Sequence, residues 1–133
     1  MIIFSIIIAS LVSMTLGALW YSKFFGQMWM SLSGLTSMSM DNEAKNAIAK
    51  RYVVQVIFTL FTAMTLSHFA RVLSVTTIAG GFELAAWIWL GFQIPLLIHP
   101  VLFEKKPVML FVLHSSYYFL VTLLMSLAIV LIA

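Results

Sequence analysis

Two histidines and a run of tyrosines hold most of the chemistry this chain can offer. His99 lies in GFQIPLLIHP, and His114 opens HSSYY, which continues through Ser115, Ser116, Tyr117 and Tyr118. A neutral imidazole needs both a donor and an acceptor, and near neutral pH it can pass a proton or hold a polar ligand. His114 and Tyr118 stand one turn apart on the same helix face. Tyr21, Gln55 and Gln93 are further polar groups set in apolar sequence. Together with His99, His114 and Tyr118 they form a candidate ligand-binding set. No catalytic residue is assigned, and a non-enzymatic role is expected. Ser115 and Ser116 neighbour His114 along the chain, and adjacency on a helix does not build a nucleophile–base pair. Metal or haem ligation by the two histidines lacks a third ligand and a carboxylate partner. Neither metal nor cofactor is expected.

The elements that must position these groups follow from composition. The chain has 133 residues, 63% hydrophobic and 8% charged. Soluble domains carry about 25% charged residues, so the solvent of this chain is lipid. A net charge of +3 is too small to indicate a nucleic-acid partner. Cysteine is absent, which removes disulfides and thiolate metal sites. The length fits a single domain over residues 1–133.

Four apolar stretches, about 1–21, 52–71, 83–103 and 107–132, reach the length a helix needs. About 20 residues cross roughly 30 Å of hydrocarbon. Backbone groups in lipid must pair internally, so the fold class is all-α, a polytopic membrane protein of four transmembrane helices. Met1–Ser22 contains no Lys or Arg. It therefore lacks the basic region of a signal peptide and reads as an uncleaved first helix.

The basic residues orient these spans. With the N-terminus on one side, the opposite side holds the 22–51 loop and the turn between the third and fourth helices. That side collects Lys23, Lys45, Lys50, Arg51, Lys105 and Lys106, and only Arg71 falls on the other. Loops rich in Lys and Arg stay in the cytoplasm, so both termini are expected outside. Trp20 and Tyr21 sit where the first helix should leave the hydrocarbon, and Lys23 can snorkel to water. Phe24, Phe25, Met28 and Trp29 continue as an interfacial segment. Ser31–Met40 reads as a loop. Asp41 is a candidate N-cap, with Glu43 in the first turn of a helix that runs through NEAKNAIAKRY into the second span.

LGALWYSKFFGQMWMSLSGL, WLGF and LFEKKPVMLFVLHSSYYFLVTLLMSLAIVL resemble the domain-of-unknown-function 1761 family of small bacterial integral membrane proteins. The most specific segments are Gly17–Ser22 and Leu102–Glu104 with the following basic residues and Pro107. The family pattern has Pro where this chain carries Lys23. The resemblance implies a four-helix membrane protein, here of a bacterial inner membrane. It implies no activity.

Ser5, Ala9, Ser13 and Gly17 recur every four residues along the first helix. Small residues at that spacing let helices approach closely, either inside the protein or across a homo-oligomer seam. GALWYSKFF and LAAWIWLGF share Ala, Trp and Phe in register, a weak internal repeat. Pro95 and Pro100 interrupt the third helix and free backbone carbonyls, for which Gln93 is a candidate partner. Counted back from Lys105–Lys106 at about 1.5 Å per residue, His99 and His114 lie within about 3 Å of one depth. The sequence thus predicts a polar cluster of Gln55, His99, His114 and Tyr118 with Tyr21 at its mouth. At the opposite surface it predicts an ion pair of Arg71 with Glu83. Two functions are compatible with this pattern: binding or transport of a small ligand through the cluster, or a structural or accessory role in the membrane through helix–helix contacts with itself or a partner.

Overall fold

The computed structural model describes residues 2–33 and 45–132. Among these, four helices are long and apolar enough to cross a membrane. The first to fourth spans are Ile2–Phe24, Ala49–Val72, Ile78–Phe103 and Val108–Ile132. A short helix, Gly26–Ser33, follows the first span.

The helices reach beyond the apolar runs. The first does not stop at Tyr21, because a π-helical turn over Trp20–Phe24 carries it on. The second helix is described from Lys45 and runs unbroken through its basic approach to Val72. The third begins at Ile78, ahead of Glu83, because Thr77 caps it. Its side-chain oxygen accepts the Gly80 N–H at 3.0 Å. Ser31–Ser33 belong to the short helix. The rest of the expected loop, with Asp41 and Glu43, lies outside the described residues.

The fourth span touches each of the other three. Its sequence gives it two faces. Leu113, Tyr117, Val121, Met125 and Ile129 recur every four residues and are buried. Tyr117, Val121, Met125 and Ile129 join Ala9 of the first span with Ala63, Leu66 and Ala70 of the second in one apolar core. A second, polar stripe turns to the third span. Ser126 Oγ donates to the Gly81 carbonyl at 2.9 Å. Gln93 and Thr122 bond reciprocally, at 2.9 and 3.1 Å. Trp89 Nε1 donates to the Ser115 carbonyl at 2.9 Å.

The small-residue stripe of the first span points inward. Ser5, Ala9 and Ser13 are buried within the chain. A Cβ added at Gly17 would come within 2.7 Å of the Tyr117 hydroxyl oxygen. Small side chains here let the first span lie close against the second and fourth. The second span leaves the bundle at its N-terminal end, and residues 49–58 are all exposed. Thr59 is its first buried residue, donating to Met14 Sδ at 3.7 Å.

The two π-helical turns have different local causes. Pro95 has no N–H to offer the Gly91 carbonyl, and its ring crowds that group. The wide turn over Trp89–Gln93, closed by the Ile94 N–H on the Trp89 carbonyl, absorbs the mismatch. In the first span Ser22 Oγ donates back to the Ala18 carbonyl, a bond that competes with the helix ladder. The Phe25 N–H then closes the wide turn on the Trp20 carbonyl at 2.9 Å.

Two glycines test this packing. A Cβ at Gly81 would stand 3.1 Å from Leu127 Cδ2 and 3.6 Å from Ser126 Oγ. Gly81→Leu should therefore force the third and fourth spans apart and destabilise by about 1–3 kcal/mol, the usual scale of overpacking. A Cβ added at Gly91 would meet nothing within 4 Å. Gly91→Ala should be neutral, or stabilising by up to about 1 kcal/mol through helix propensity. Thermal unfolding midpoints in detergent micelles measure both.

Candidate functional site

The end of the first span and the start of the fourth meet at a bonded pair. Tyr21 Oη and Nδ1 of His114 are 2.5 Å apart. The phenol donates when the imidazole proton sits on Nε2, and the other tautomer reverses the roles. His114 is half-buried, and so is Tyr21.

Rings enclose this pair. Tyr21 meets Tyr117 edge-on at 5.0 Å between centroids and Trp29 at 5.4 Å. Tyr117 in turn meets Tyr118 at 5.1 Å and Trp20 at 6.1 Å. Each of these distances falls in the range where tilted or edge-on aromatic pairs attract. Phe25, at 4.5 Å from Trp20, closes the cluster on the side of the short helix. That helix brings Trp29 back over Tyr21. Gly26 opens it under tight contact, and a Cβ there would lie 3.2 Å from the Tyr21 carbonyl oxygen. One donor in the cluster is left over. Trp20 Nε1 is buried and has no acceptor among the described residues.

The expected six-residue set divides. Tyr21, His114 and Tyr118 stand in or beside the aromatic cluster, with Tyr118 more exposed than Tyr117. His99 does not join them. It is exposed and lies against Phe103 of its own helix, at 4.9 Å. Gln55 also stands apart. It is exposed, and its amide donates to Thr59 Oγ1 at 3.3 Å, one turn along the same helix. Gln93 takes Thr122 as its partner, rather than the carbonyls that the prolines free. At the other surface, Arg71 and Glu83 form no ion pair. Arg71 Nε turns back to the Ser67 carbonyl at 3.4 Å, and Glu83 is exposed.

Sequence reasoning missed Trp20 and Tyr117 as the walls of the candidate site, and missed Trp89, Ser115, Thr122 and Ser126 as its scaffold. A signal for the scaffold was present. Ser115, Thr122 and Ser126 fall on one face of the fourth span, opposite a Trp and a Gln in the third. Among the described residues, no three His, Cys, Asp or Glu side chains converge on a metal-sized position.

A family model described as "Protein of unknown function (DUF1761)" matches residues 4–130. The chain belongs to that family. No curated protein and no solved structure matches it. The DUF1761 match reaches into all four spans and includes both partners of the Tyr21–His114 bond.

The scaffold bonds give a direct test. Gln93→Leu should leave the buried Thr122 hydroxyl unpaired, at a cost of about 1–3 kcal/mol. Adding Thr122→Val removes the orphaned group, and the double variant should recover most of that loss. Unfolding midpoints of the two single variants and the pair form a cycle, and additive costs would mean that the bond contributes nothing.

Proposed function

We propose that the chain binds, and in binding carries, a small amphipathic molecule at the Tyr21–His114 pair. The observation that supports this reading is a hydrogen-bonded pair bridging two spans beside an unpaired buried donor, Trp20 Nε1. Buried polar groups are almost always partnered, so a donor without a partner marks a place for a water or a ligand atom. The setting fits one ligand class. Trp20, Tyr21, Trp29 and Tyr117 surround the pair with aromatic rings, a setting that suits an apolar or cationic body. The imidazole, the phenol and the indole N–H offer hydrogen bonds to one polar end. Both π-helical turns lie beside the same stretch of the fourth span, and such turns recur at functional sites.

The accessory reading had its motive in the small-residue stripe of the first span. Ser5, Ala9 and Ser13 are buried inside the chain, which weakens that motive. The polar pair retains its motive and is the better supported of the two.

The basic-residue bias supports a bacterial inner-membrane orientation with both termini outside and the site at the cytoplasmic headgroup level. Reporter fusions at Ala133 and within the 34–39 stretch should then give opposite signals. A cytoplasmic signal from the C-terminus would overturn the orientation.

For the ligand, tetraphenylphosphonium, indole and benzoate serve as cationic, neutral and anionic probes. At least one should raise the unfolding temperature of the purified protein. His114→Phe should abolish that shift while the protein stays folded and extractable. A shift preserved in both His114→Phe and Tyr21→Phe would place binding elsewhere and refute the assignment.

A further inference from the structure

Arg71 stands in the last turn of the second span, alone among the basic residues on its side of the sequence. It makes no ion pair with Glu83 and borders a cavity of about 380 Å³. Ser67, Ser74 and Thr76 line the cavity with it, and Ile129 and Val130 of the fourth span supply an apolar wall. The volume lies within the roughly 300–1,000 Å³ that small-molecule sites occupy. No carboxylate lines it among the described residues.

The backbone at this helix end leaves the guanidinium available. Helices commonly end with a left-handed residue that lets later N–H groups cap the last carbonyls. Ser74 takes that conformation, with φ of 56°. The N–H groups of Leu73, Ser74 and Val75 bond to the carbonyls of Phe69, Arg71 and Ala70, at 2.9, 3.2 and 2.8 Å. Arg71 is not needed to cap them. One of its N–H groups reaches the Ser67 carbonyl, which orients the planar fork and leaves its two terminal nitrogens for a ligand.

We propose that this cavity binds a phosphate group. A guanidinium fork matches phosphate oxygens two at a time, and adjacent hydroxyls add neutral donors. The site lies at the end of a membrane-crossing helix, the level of lipid headgroups. Its wall of Ile129 and Val130 suits the apolar body attached to such a group. The phosphate is carried by an anionic lipid headgroup or comes free from solution. The site is at the opposite end of the fourth span from His114, so it stands independently of the ligand assigned to Tyr21–His114.

The test uses the full chain purified in a neutral detergent, with phosphatidylglycerol, diacylglycerol and inorganic phosphate as probes. Binding of the two lipids is read by native mass spectrometry, and that of phosphate by thermal shift. Phosphatidylglycerol should bind more tightly than diacylglycerol. Arg71→Gln should lower phosphatidylglycerol affinity about tenfold or more, the scale of one charged hydrogen-bonding group, and leave diacylglycerol unchanged. Thr76→Val should give a smaller loss. If lipid binds and inorganic phosphate neither competes nor shifts the midpoint, the headgroup is the source. If phosphate alone shifts the midpoint in an Arg71-dependent way, the free anion is. Val130→Trp fills the cavity while keeping Arg71, and it should also lose binding, so it carries the test if Arg71→Gln does not fold. Binding of every probe unchanged in both variants, or no binding of either phosphate source by the wild type, would overturn the proposal.

Discussion

A polar group inside hydrocarbon has no water to turn to, so it must find its partner within the protein. The fourth span is organised by that constraint. Ser126 and Thr122 bond to the Gly81 carbonyl and to Gln93, and the Ser115 carbonyl takes the Trp89 indole, all from the third span. Three such bonds along one face fix the rotation of the fourth span about its axis. Once that face is fixed, the others follow. Residues three and four apart share a face of a helix, so His114, Tyr117 and Val121 are presented together toward the first span. Tyr21 meets His114 there, and Gly17 meets Tyr117. The candidate site is thus a consequence of bonds made on the other side of the same helix.

The four spans were legible because lipid imposes a length and a composition that few other structures need. Their ends were less so. Thr77 starts a helix about five residues before the apolar run suggests, through a single side-chain bond. Ser74 and Lys105 take left-handed conformations without being Gly or Asn, so neither turn announces itself by its residue type. The site was half legible. His114 and Tyr21 are conspicuous by type, and Tyr21 was expected at the mouth of the cluster. Counting along the helices gave His99 the depth of His114, but depth does not fix the rotation of a helix about its axis. A wide turn interrupts the third span at Trp89–Gln93. His99 lies beyond that turn and ends exposed, while Gln93, inside it, still faces Thr122.

Periodicity also could not say which way the small-residue stripe of the first span would face. A stripe of Ser, Ala and Gly suits a contact within the chain as well as one between chains. The fourth span decides the matter, because Tyr117 carries its ring to the level of Gly17, where any larger residue would collide with the hydroxyl. The Tyr117 ring and the glycine are complementary, and the stripe below them closes on the second and fourth spans. Where the second span lacks such a complement, over residues 49–58, it stands away from the bundle.

The paired distortions of the first and third spans have the same outcome from unlike causes. Proline forces one, and a serine bonded to its own backbone accompanies the other. The weak repeat aligns Trp20 with Trp87, yet the wide turns begin at Trp20 and Trp89, so the likeness of the turns does not come from the matched residues. What the two turns share is their neighbour. Trp20 packs on Tyr117, and Trp89 packs on Phe119 while bonding to Ser115, all within five residues of the fourth span. The aromatic girdle around His114–Phe119 is thus the common neighbour of both turns. It places the distorted stretch of each flanking span where the chain also keeps its bonded histidine and its unpaired indole donor.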